Sequence, residues 1–252
     1  GLVDVTVISG LGPETTTLPD AFLYEQSLSS FASSPVFDMH VDASGSFLIA
    51  AAGDQGVFVM ELASGQIVSE ITLPGEALGV ASYFERGVDR LFITTQHDNQ
   101  GILHVVDLDP LDVSKSTLVS SLPLPSSSSH GIRVSGQRAV IAMGDGGVGW
   151  VDVFRADKVY LVESHQIPGH VALDVEPLEP IPGVSEAIAV VGGSIDEDRA
   201  LVDEDEPSSG TFALLSRDAQ LGLTTRGSLP IPASAVEVAG HTAALAAGSR
   251  GV

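Results

Sequence analysis

The sequence predicts an all-β chain built from a repeated unit of four antiparallel strands. Three observations carry this expectation. Short runs rich in β-branched and aromatic residues alternate with Gly, Asp, Ser and Pro, as in Ser46–Ala51, Gly56–Leu62, Arg90–Thr95 and Gly101–Leu108. No segment sustains a helical period, and even the alanine-rich stretch from Ala239 to Ala247 is interrupted by Gly240 and closed by Gly248. Laid under one another, the runs repeat.

The unit is clearest in strand A at His130–Ser135, strand B at Arg138–Met143, strand C at Gly147–Phe154 and strand D at Lys158–Ile167. Strand A recurs at Phe37–Asp42, Ala77–Tyr83, His170–Glu176 and Ser234–Ala239. Its anchors Val41, Ser82, Val134, Val175 and Val238 are spaced by 41, 52, 41 and 63 residues. Four-stranded repeats of this length form radial blades around a channel, so a β-propeller is expected. The tail Gly248-Ser-Arg-Gly-Val252, read on into Gly1-Leu-Val-Asp-Val5, is very like the continuous Gly144–Val153 segment. The N-terminal strands are therefore expected to serve as C and D of a blade whose A and B come from the C-terminus. This makes one domain over 1–252 with five blades, at 234–252 plus 1–36, 37–76, 77–129, 130–169 and 170–233. A piece cut from a larger propeller is the alternative.

Val140-Ile-Ala-Met-Gly-Asp-Gly-Gly-Val-Gly-Trp-Val-Asp-Val153, and Leu91–Thr95 followed by Gly101–Pro110, resemble the LVIVD and YVTN-type propeller repeats. The resemblance covers almost the whole chain and is weaker in the blade containing Asp196 and in the split blade. It implies an extracytoplasmic location (periplasmic, secreted or cell-surface) and a binding scaffold. No shared catalytic motif comes with it.

Composition removes several function classes. With 33 acidic against 11 basic residues, net −22, the chain lacks the basic surface that nucleic acid requires. Cysteine is absent, which excludes disulfides and thiolate chemistry. No apolar run is long enough to span a bilayer, no signal-peptide pattern opens the chain, and Asn99 lies outside any glycosylation sequon. So many carboxylates with two lysines also suit saline surroundings.

The D-to-A and B-to-C connections emerge on one face, since strand B runs back antiparallel to A. They bring together Asp54, His97, Asp98, His130, Asp145 and His170, with Asp196 and Asp198 in the long insertion from Gly193 to Ser209. This acidic face is either a set of hydrophilic Gly-Asp turns or a docking surface for a cationic protein. On the inner strands, the position before each anchor holds His40, Arg133, Asp174 and Glu237, with Ala81 in the remaining blade. Such a ring is a salt-bridged plug or a ligand site at the channel mouth.

No cofactor is expected. The metal candidates are Asp38 and His40, on one face of a strand, and Asp196 and Asp198 as partial Ca²⁺ ligands. Gly144–Gly149 matches G-x-G-x-x-G but lies between strands, with no helix to receive a phosphate. Trp150 reads as blade core or as a sugar-stacking side chain. The leading functional expectation is a non-enzymatic binding or scaffold propeller for a protein partner. The alternatives are a carbohydrate or small-ligand binder, and a hydrolase or lyase acting at the channel mouth.

Overall fold

The computed structural model describes residues 3–8, 15–22, 35–85, 88–109, 112–178, 186–194, 210–218, 222–231, 233–239 and 242–246. A two-stranded sheet pairs β1 (Val3–Ile8) with β2 (Thr15–Phe22). The first four-stranded sheet holds β3 (Asp38–Val41), β4 (Phe47–Ala51), β5 (Val57–Glu61) and β6 (Gln66–Ile71). The second holds β7 (Glu76–Glu85), β8 (Val88–His97), β9 (Gln100–Leu108) and β10 (Thr117–Pro123). The third is β11 (Ile132–Ser135), β12 (Arg138–Ala142), β13 (Val148–Asp152) and β14 (Tyr160–His165). The fourth is β15 (His170–Leu178), β16 (Glu186–Ser194), β17 (Gly210–Asp218) and β18 (Gly222–Leu229). A final pair joins β19 (Ala235–Ala239) and β20 (Thr242–Ala246).

All these pairings are antiparallel, and each four-stranded sheet follows chain order. The fold is all-β and propeller-like, with repeated four-stranded blades on the expected A-to-D units. Among the described residues no strand pairing joins β20 to β1.

Sequence dictates the turns at the end where B passes to C. In Gly53-Asp-Gln-Gly56 and Gly144-Asp-Gly-Gly147 the outer glycines have φ of +58°, +80°, +49° and +75°. A Cβ on Gly56 would lie 2.4 Å from the Ile71 carbonyl oxygen, and one on Gly147 would lie 2.1 Å from that of His165. Only glycine satisfies both the backbone and the space. The second sheet turns instead on Asp98 and Asn99, both at positive φ, in a two-residue hairpin.

The core lies between successive sheets, not within one. Ile49, Val57 and Val59 of the first sheet pack on Val80, Leu91 and Ile93 of the second. Phe92, Leu103 and Val105 on its other face meet Ile132, Ile141 and Val151 of the third. Val140, Val148 and Trp150 meet Val175, Ile188 and Leu215 of the fourth, and Ala189 and Val191 meet Val236 of β19. Strands such as β8 and β12 are therefore covered on both faces. This is why they read as continuous apolar runs instead of alternating ones. Each large side chain so buried contributes about 1.5–3 kcal/mol.

Trp150, 5 % exposed, is blade core and not a sugar platform. The guanidinium groups of Arg138 and Arg217 lie over its ring, 5.7 and 5.3 Å from the ring centre. Arg217 pairs with Glu163 at 3.2 Å and Glu186 at 3.5 Å, and Arg138 also pairs with Glu186. Third and fourth sheets are thus joined by the contact of Arg217 with Trp150 and by ion pairs that cross between them.

Candidate functional site

The inner strands β3, β7, β11, β15 and β19 bring their polar residues to one place. Arg133 on β11 is the hub. Its Nε lies 2.9 Å from Glu176 Oε2, its Nη2 3.8 Å from Asp174 Oδ2 and its Nη1 3.6 Å from Asp38 Oδ2. Asp38 Oδ2 also accepts the backbone N–H of Val80 at 3.0 Å, and Asp174 Oδ2 that of Val236 at 3.0 Å. One polar network therefore ties all five inner strands. Asp38 and Arg133 belong to sheets separated by a third sheet, so their contact requires the inner strands to converge on a common axis.

One cation faces three carboxyl groups, and burial dominates their titration. Desolvation pushes Asp38 up to about 6 and Glu176 up to about 7, against the lowering pull of Arg133. Asp174 is raised for the same reason. Burial lowers the Arg133 pKa but the three acids outweigh it, keeping the guanidinium firmly charged. Glu237 is exposed, and its charge raises Asp174 and Glu176 further.

The expected ring is thus partly redrawn. Strands β7 and β15 each carry a register shift, between Ala77 and Gly79 and between Ala172 and Asp174, which β3 and β11 lack. Both shifts lie before the aligned positions, so Ala81 and Asp174 keep their places next to their anchors. Arg133 and Asp174 do meet, but the shortest ion pair goes to Glu176, two residues further along the same face of β15. Glu176 was legible only as a second acid at that alternation. His40 makes no ion pair with this cluster among the described residues. Burial and the Arg133 charge lower its pKa, and Asp42 opposes them.

Asp38 serves the network as an acceptor of backbone and guanidinium bonds. Among the described residues no three His, Asp or Glu side chains are grouped so as to hold a metal. Asp196 and Asp198 lie outside the described residues.

The loop-face residues occupy the end where B passes to C and D to A. Gly53 bridges Ala77 and Gly144 bridges Ala172, so this end is common to successive sheets. Asp54 and Asp145 are exposed in their turns, and Asp145 Oδ1 accepts the Ser127 N–H at 3.0 Å. His97 Nε2 lies 3.4 Å from Asp98 Oδ2, both well exposed. His170 Nδ1 lies 3.3 Å from the Gly193 carbonyl oxygen. His130 packs beside Ser128, its Nε2 3.2 Å from the hydroxyl, and burial pushes its pKa down to about 4. His130 is thus a neutral seam residue and not a loop-face cation. His104, which the sequence reading passed over, is a buried neutral imidazole between the hydroxyls of Thr95 and Ser121 at 3.0 and 2.8 Å.

No family model matches the chain, and no curated protein matches it. Among solved structures it is similar to the computationally designed Ika8 protein, with a TM-score of 0.47 and 13 % identity over 80 % of this chain and 52 % of that one. U3-55K gives a TM-score of 0.47 and 16 % identity over 81 % of this chain and 70 % of that one. The computationally designed Ika4 protein gives 0.46 and 15 % over 65 % and 88 %. The chain spans about half the length of the designed Ika8 protein.

Proposed function

We propose that the chain is a non-enzymatic binding scaffold that presents an acidic loop face to a cationic protein partner, as a subunit of an extracytoplasmic complex. The observation that carries this reading is that exposed carboxylates stand at one end of the strands with no described basic residue in its connections. Asp54, Asp98 and Asp145 stand exposed at the B-to-C end, with Glu76 beside them at the start of β7. No described lysine or arginine falls in the connections of that end. Arg90, Lys115, Arg138, Arg155 and Arg217 lie towards the opposite end, each within an ion pair. By sequence, the connection between β16 and β17 contains Asp196, Glu197, Asp198, Asp203, Glu204, Asp205 and Glu206 against the single basic residue Arg199. A rigid stack of sheets offering exposed carboxylates steers a basic partner and disfavours an acidic one.

We further infer that β19–β20 and β1–β2 share one blade, giving a closed five-bladed ring. Two half-sheets remain after four complete ones. The face of the first sheet turned away from β7 is apolar, with Leu48, Phe58 and Ile67 around Ala50 and Met60. Met39 and Val41 on its inner strand stand 56 % and 47 % exposed, a surface that a fifth blade would cover.

Titration calorimetry with a decalysine peptide tests the docking face. Wild type is expected to bind, with affinity falling as salt rises, and Asp54→Asn/Asp98→Asn/Asp145→Asn to bind at least tenfold more weakly, on the order of 1.4 kcal/mol. Equal binding by the triple variant would overturn the reading.

A further inference from the structure

At the opposite end of the strands, the seam between first and second sheets holds two carboxyl groups and two buried oxygens without hydrogen-bond partners. Asp42, just after β3, is 5 % exposed. Its Oδ1 accepts the N–H groups of Ser46 and Phe47 at 2.8 and 2.7 Å, and its Oδ2 accepts the N–H and hydroxyl of Ser44. These four donors stabilise the ionised carboxylate and hold its pKa below the ordinary range despite burial. Asp89 on β8 pairs with Phe84 and lies two residues from Leu91, so it shares the face that packs on the first sheet.

Asp89 Oδ1 is shielded from solvent and has no hydrogen-bond partner. Ser82 Oγ, on the same face of β7, is in the same condition, and Ser82 is 8 % exposed. Two carboxyl groups close enough to influence one another, one of them carrying a buried oxygen without a donor, have an obvious missing atom: a proton.

We propose that Asp89 is a proton-operated latch between the first and second blades, its protonated carboxyl donating to ionised Asp42 and its ionised form repelling it. The proton resides on Asp89 because Asp42 already has four donors. Burial, the Asp42 charge and the contact with its carboxylate raise Asp89 to about 6, and the Arg90 N–H offsets part of this. The other charged groups around the seam leave that balance in place. His40, on the Asp42 face of β3, has its pKa lowered by burial. Glu61 at the end of β5 accepts the Ser64 hydroxyl at 2.6 Å. Arg90 and Asp107 pair at 2.6 Å on the far face of the second sheet, and Lys115 pairs with Asp112 at 2.8 Å.

The folded-state pKa of Asp89 exceeds its ordinary value, so the latch stabilises the seam at low pH and is lost as pH rises through about 6. Two measurements on the intact chain test this. The Asp89 side-chain carboxyl carbon should titrate near 6 in the wild type and return towards the ordinary aspartate range in Asp42→Asn. Backbone amide exchange in β7 and β8 should be equal in wild type and Asp89→Asn at pH 5. At pH 8, where the asparagine still donates, the variant should be slower by on the order of tenfold. An ordinary Asp89 titration, or equal exchange at pH 8, would overturn the latch. So would a saturable slowing of wild-type exchange by Ca²⁺ or Na⁺ that Asp89→Asn abolishes, since the unpartnered oxygens would then be taking a cation in place of a proton.

Discussion

Replacing Arg133 with methionine removes the charge on which three carboxyl groups depend and leaves a side chain of similar length. Asp38, Asp174 and Glu176 lie 3.6, 3.8 and 2.9 Å from its guanidinium, and its side chain is only 21 % exposed. Breaking a buried ionic cluster by deleting one partner costs about 3–5 kcal/mol, chiefly because the remaining charges stay desolvated and unpaired. That figure applies at pH 8, where the acids are ionised. Asp38 at about 6 and Glu176 at about 7 are largely protonated at pH 5, where the loss should fall to well under half.

The sign follows from linkage. Folded-state values above the ordinary ones mean that the fold holds protons, so these groups' contribution is complete at low pH and declines as pH rises through 6 and 7. Methionine removes the lowering influence of Arg133 and so extends the decline above pH 7. Urea unfolding followed by the fluorescence of the single tryptophan, Trp150, at pH 5 and pH 8 measures this directly. An equal loss at both pH values, or a loss under about 1 kcal/mol at pH 8, would refute the reasoning.

Two further outcomes are expected. Trp150→Ala should cost about 3–5 kcal/mol in chemical unfolding followed by circular dichroism, since it empties the seam beside Arg138 and Arg217; a cost under about 1 kcal/mol would show that the ring carries no packing. Ala243→Cys with Val3→Cys should form an intramolecular disulfide under mild oxidation, read as a mass loss of two hydrogens, because the matching positions Ala139 and Val151 pair between β12 and β13. With no native cysteine to compete, failure to close would count against a shared fifth blade.

Most of the strand plan was legible because turns and strands are local matters. Gly53-Asp-Gln-Gly56 and Gly144-Asp-Gly-Gly147 announce turns that only glycine can make, and the apolar runs between them have no helical alternative. The candidate site was legible only in part. Arg133 and Asp174 stood out as charged residues in otherwise apolar inner strands. Glu176 did not, because it lies one residue past the anchor Val175, and its reach to Arg133 depends on how neighbouring sheets pack. Asp89 escaped notice for a different reason, and Asp42 and Ser82 read only as a strand-end acid and a repeat anchor: they lie on or beside separate strands, and nothing local shows that a partner is missing.

The acidic excess, the repeat and the two half-units at the ends are properties of the sequence itself. Each rests on composition, or on preferences acting over a few residues. Which carboxylate reaches Arg133, and which carboxyl lacks a donor, was decided by the tertiary structure. Packing of successive sheets brings Arg133 within 4 Å of Glu176, some forty residues away, and of Asp38, on a sheet two places removed, and no local preference encodes either contact.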